Sequence, residues 1–86
     1  MKALSQDNTY RFTVFERDGK HLLEIYNRET GSVETYWLPA GQLHWSFETA
    51  DAAMKFAGAY LASSSPGSST DPRTYSGDIP DLQWQD

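Results

Sequence analysis

TYRFTVFERDGKHLLEIYN, residues 9–27, carries the pattern from which the rest of the fold is read. Tyr10, Phe12 and Val14 alternate with Arg11, Thr13, Phe15 and Arg17, which is the two-residue period of a strand in residue types that favour strands. Asp18-Gly19 then supplies a tight reversal, because both residues tolerate positive φ. The chain returns as a second strand, with Leu23 and Ile25 on one face and Leu22, Glu24 and Tyr26 on the other. The stretch therefore specifies an antiparallel hairpin with one apolar and one mixed face.

Working outward, RETGS (28–32) places Gly31 in a turn that leads into VETYWLP (33–39), a third strand ended by Pro39 and Gly41. LHWSFET (43–49) reads as a fourth strand, with Leu43, Trp45 and Phe47 opposed to His44 and Ser46. Then the period changes. Thr49 stands where an N-cap hydroxyl is wanted, Asp51 puts a carboxylate in the first turn, and Ala53, Phe56, Ala57, Tyr60 and Leu61 form one helical stripe, widened by Met54. Gly58 within it costs about 1 kcal/mol relative to alanine. The expected fold class is α+β: a four-stranded antiparallel β-meander with one C-terminal α-helix packed on one face, then a flexible acidic tail. Residues 1–64 form the ββββα domain, and residues 65–86 the Ser/Pro/Gly-rich tail, with a short linear motif at 78–86.

A chain of 86 residues is one domain, and this size buries only about 60% of its unfolded surface, so a partner or a homodimer contributes to the expected stability. The absence of cysteine removes disulfides, thiolate chemistry and cysteine-ligated zinc. No apolar run reaches the roughly 20 residues of a membrane span, and MKALSQDNTYRF lacks the apolar core of a secretory signal, which makes the cytoplasm the default location and a membrane partner unexpected. The net charge of −5 argues against duplex DNA. Up to Ser64, Lys2, Arg11, Arg17, Lys20, Arg28 and Lys55 face eight acidic residues; beyond it Arg73 faces Asp71, Asp78, Asp81 and Asp86.

One helix of about 14 residues, roughly 21 Å long, covers one sheet face only. The more apolar set (Tyr10, Phe12, Val14, Leu23, Ile25, Val33 or Trp37, Trp45 and Phe47) belongs under it. The other set, which includes Arg11, Phe15, Arg17, Tyr26, Arg28, Glu34 and Tyr36, stays open and is the candidate binding platform, its rings apolar or stacking and its arginines charged. Cross-strand packing within the sheet, or a homodimer burying that face, would account for the same residues. His21 and His44 lack a second histidine at ligand spacing, so no metal or cofactor is expected. Glu16, Glu24 and Glu34 suit surface salt-bridge ladders better than an acid pair, and Ser63 to Ser65 match no nucleophile elbow; no catalytic residue is assigned.

The ββββα order resembles the repeat unit of Whirly and PUR-type single-stranded nucleic-acid-binding proteins, which implies a nucleic-acid-binding sheet face and dimerisation. FETADAAMKFAGAYL (47–61) looks like the alanine-rich helix of HicB-type antitoxin domains. GDIPDLQW (77–84) resembles the acidic tip of bacterial single-stranded-DNA-binding proteins, which recruits partners, although here Gln85 and Asp86 follow the aromatic residue. In the tail, Ile79, Leu82 and Trp84 sit among Asp78, Asp81 and Asp86 as a linear motif would, or fold back so that Trp84 covers the open face. The expected function is a non-enzymatic protein-interaction module, an adaptor or inhibitor of a larger assembly. The alternative is a single-stranded nucleic-acid-binding module whose tail recruits partners.

Overall fold

The computed structural model describes residues 1–63 and 71–85. The chain forms an antiparallel sheet of β1 (Lys2–Leu4), β2 (Tyr10–Arg17), β3 (Lys20–Asn27), β4 (Ser32–Val33) and β5 (Trp45–Phe47), crossed by α1 (Ala50–Ser63). A short 3-10 turn follows at Pro72–Thr74. This is a small α+β fold. The order β1-β2-β3-β4 follows the chain, and β5 returns to pair with β3. No helix among the described residues is long and apolar enough to cross a membrane.

The hairpin is the frame. Asp18 and Gly19 both take positive φ, 55° and 77°, and fix the register Arg17↔Lys20 through Tyr10↔Asn27. That register puts Phe12, Val14, Leu23 and Ile25 on one face, where all are buried; Phe12, Leu23 and Ile25 are fully so. The stripe Ala53, Phe56, Ala57 and Tyr60 closes over them. Trp45 and Phe47 join from β5, their rings 4.6 and 5.2 Å from Phe56. The Thr49 hydroxyl accepts from the Ala52 amide at 3.1 Å and so caps α1.

The structure differs from the sequence reading in several places. β1 is an added edge strand, too short for its alternation to register as a pattern; Ala3 opposite Phe12 is buried. The third strand stops at Val33. Beyond Glu34, whose amide still donates to Ile25, the chain turns at Thr35–Leu38 with Trp37 at φ 72°, and turns again at Pro39–Gln42. The physical reason is competition for one edge: β4 takes β3 at Tyr26 and Asn27, and β5 takes it at His21 to Leu23. A continuous strand over 33–39 would displace Trp45, which is 6% exposed.

The register also exchanges two residues between faces. Val33 lies opposite Tyr26 and so on the open face, while Glu34 turns toward the helix side, accepting from the Asn27 carboxamide at 2.9 Å. There its charge, together with burial, raises the Tyr60 phenol above its ordinary range, burial being the larger cause; Tyr10 is raised for the same reasons.

The Ser/Pro/Gly-rich start of the expected tail, residues 64–70, and Asp86 at the end of the expected motif lie outside the described residues. From Asp71 onward the chain lies against the domain. Asp71 caps the 3-10 turn by accepting from the Arg73 amide at 2.9 Å, and Pro72 is buried. The Arg73 guanidinium sits 5.7 Å from the Trp45 ring. Ile79 and Pro80 cross α1 at Gly58, where any Cβ would run into the Ile79 side chain and come within 2.9 Å of the Pro80 carbonyl oxygen. The helix glycine thus marks a backbone crossing. Leu82 and Trp84 pack on the core, Trp84 with its ring 6.5 Å from Phe12. Lys2 and Gln85 then exchange both backbone hydrogen bonds, at 2.7 and 2.8 Å. Trp84 therefore lies on the helix side of the sheet, not over the open face.

Candidate functional site

The face opposite the helix is set by alternation alone. Pairing places Lys2 and Leu4 of β1, Arg11, Thr13, Phe15 and Arg17 of β2, and Lys20, Leu22, Glu24 and Tyr26 of β3 on it, with Val33 and Ser46 at the far edge. Arg28 continues the β3 series one step past the strand. Its backbone amide donates to the Thr9 carbonyl at 2.7 Å, and its side chain donates to the Asn8 carbonyl at 3.2 Å.

Two arginine-aromatic pairs organise the centre. The Arg11 guanidinium lies 4.8 Å from the centroid of Tyr26, its cross-strand partner, and that of Arg17 lies 5.5 Å from Phe15. Phe15 also meets His44 edge-on at 5.0 Å, and His44 Nε2 stands 3.6 Å from Glu24. A guanidinium held over a ring has less freedom to lose on binding an oxyanion. The rings that sequence reasoning singled out are thus platforms for arginine.

Charge is segregated. Lys20 is paired with Glu48, and His44 stands beside Glu24. Lys2, Arg11, Arg17 and Arg28 form no ion pair with a described residue. Four free cations therefore share one face of a chain whose net charge is −5. Glu16 pairs with His21 at 3.7 Å on the other side, so Glu16, Glu24 and Glu34 do not converge. Toward β5 the face grows apolar, with a shallow groove between Leu22, Leu43 and His44, and Leu43 54% exposed.

Of the candidates named from sequence, Arg11, Phe15, Arg17, Tyr26 and Arg28 lie together on this face. Tyr36 does not; it projects from the turn after Glu34, 65% exposed and edge-on to Trp37 at 4.9 Å. Ile79, Leu82 and Trp84 lie on the helix side. Lys2, Leu4 and His44 complete the face and were not singled out; the alternation in LHWSFET does place His44 there, but nothing local announces Lys2 and Leu4. Among the described residues no three His, Cys, Asp or Glu side chains gather at metal-binding distance. Comparison of the chain with known protein families, with curated proteins and with solved structures gives no match. The site must be read from its own chemistry.

Proposed function

We propose that the chain is a small non-enzymatic interaction module, an adaptor or inhibitor, that binds an acidic protein surface through its open sheet face. The observation that carries this reading is the set of four cations on one face without an ion-pair partner among the described residues, two of them over the rings of Tyr26 and Phe15. Such a face suits Asp- and Glu-rich surfaces, since planar guanidinium groups bind carboxylates in two-point geometry. The apolar groove at Leu22 and Leu43 supplies burial beside the charge.

Single-stranded nucleic acid would find the same positive potential. Base stacking, however, needs free ring faces, and here arginines occupy them. In this reading the docked segment 71–85 completes the core and leaves the open face to the partner.

The test is charge reversal on matched surface sites. Arg17→Glu, on the face, should abolish recovery of the native complex from source cells, while Lys55→Glu, on the exposed side of α1, should leave it intact. Equal recovery with both variants would overturn the proposal. Recovery of single-stranded nucleic acid in place of protein would replace it with the alternative.

A further inference from the structure

Where β1 meets the returning segment, the chain forms a cleft of about 490 Å³. Lys2, Arg11 and Arg28 line it together with Gln83, Gln85 and the apolar Leu4, which is 45% exposed. No carboxylate lines it among the described residues. The cleft exists because the Lys2–Gln85 bridge ties the segment to the β1 edge at one point only.

We propose that this cleft binds a phosphate monoester. Three cations with no carboxylate among the described lining residues exceed what one carboxylate neutralises and suit a group of charge about −1.5 to −2 with three acceptor oxygens. Arg11 is already held on Tyr26 and Arg28 on the Asn8 carbonyl, so two of the donors are positioned before a ligand arrives. The two carboxamides can each donate and accept. The volume exceeds that of phosphate itself, and Leu4 offers the surplus space to an organic group. The phosphate is carried either by a free metabolite of about nucleotide size or by a phosphorylated side chain of a protein.

The cleft shares Lys2, Arg11 and Arg28 with the open face, whereas Arg17 lies on that face outside the cleft and so tells the two proposals apart. Amide chemical shifts of the full chain, followed during titration with inorganic phosphate, adenosine monophosphate, a phosphoserine peptide, acetate and adenosine, give the test. Phosphate and its esters should move the amides of Lys2, Leu4, Arg11, Arg28, Gln83 and Gln85. Acetate and adenosine should act at least about tenfold more weakly, and Arg28→Gln and Lys2→Gln should each weaken the esters by about tenfold. Arg17→Glu should leave these shifts in place, whatever it does to partner recovery. Tighter binding of the peptide than of the nucleotide assigns the phosphate to a protein, and the reverse assigns it to a metabolite. Acetate acting as strongly as phosphate, or Arg28→Gln and Lys2→Gln leaving the ester affinity unchanged, would overturn the site.

Discussion

Gly58→Ala should destabilise the protein even though it improves a helix. In an exposed helix interior this change is worth about 1 kcal/mol in favour of folding. At this position the new methyl group would run into the Ile79 side chain and lie 2.9 Å from the Pro80 carbonyl oxygen. The optimum for non-bonded heavy atoms is about 3.5–4.0 Å, and a backbone oxygen has no rotamer with which to move aside. Forcing a methyl group into a packed contact costs about 1–3 kcal/mol, so the expected net loss is about 1 kcal/mol. The structure can instead release the segment 78–85, which forfeits the burial of Leu82 and Trp84. Urea midpoints measure the first outcome, and hydrogen exchange at the Lys2 and Gln85 amides, which are bonded to each other's carbonyls, measures the second. A double-mutant cycle isolates the cause, because Ile79→Ala keeps the Ile79 Cβ, 3.9 Å from the new methyl, and removes the clashing branch. In that background the part of the cost that comes from the Ile79 branch should vanish, while the part from the Pro80 carbonyl oxygen remains. A gain of about 1 kcal/mol from Gly58→Ala alone, with Gln85 exchange unchanged, would refute the crossing of Ile79 over the helix.

Three further outcomes are expected. Trp84→Ala should lower stability by about 1–2 kcal/mol, since a half-buried indole contributes less than a fully buried one, and should speed exchange at Gln85; denaturation midpoints check it. Gly19→Ala should cost about 1 kcal/mol through backbone strain alone, because φ is 77° and nothing lies within 4 Å of the added methyl; the same measurement applies. Hydrogen bonds from the Arg73 side chain and then its amide hold the Asp71 carboxyl below its ordinary value of 3.8. A depressed folded value means that this contribution is present above the unfolded value and lost as pH falls through the folded one. The Arg73 and Thr74 amide shifts should therefore move together only below pH about 4, and Asp71→Ala should show the low-pH positions throughout.

The hairpin, the helix stripe and the core were legible because local periodicity dictates them: residues 10–27 alternate over both strands, and Asp18-Gly19 permits one register. VETYWLP fits a strand equally well by that criterion. It fails as one because β5 buries Trp45 on the edge of β3 that it would need, a competition between segments that no window of sequence displays. The exchange of Val33 and Glu34 has the same origin, since one step of register swaps faces. On the candidate face, Arg11, Phe15, Arg17, Tyr26 and Arg28 were legible as members of one set, but the placing of Arg11 over Tyr26 depends on cross-strand register, whereas Arg17 meets Phe15 two residues away on its own strand. Lys2, Gln83 and Gln85 were not legible, because the backbone bridge that unites them joins segments far apart in sequence.

The open face as the partner surface is tested most directly by site-specific photo-crosslinking in extract of the source cells. A photoreactive residue at Thr13, at the centre of the face, should give a protein adduct that disappears at high salt and with Arg11→Glu or Arg17→Glu, while the same group at Lys55 gives none. An adduct from Lys55 with none from Thr13, or a Thr13 adduct indifferent to both arginines, would contradict it.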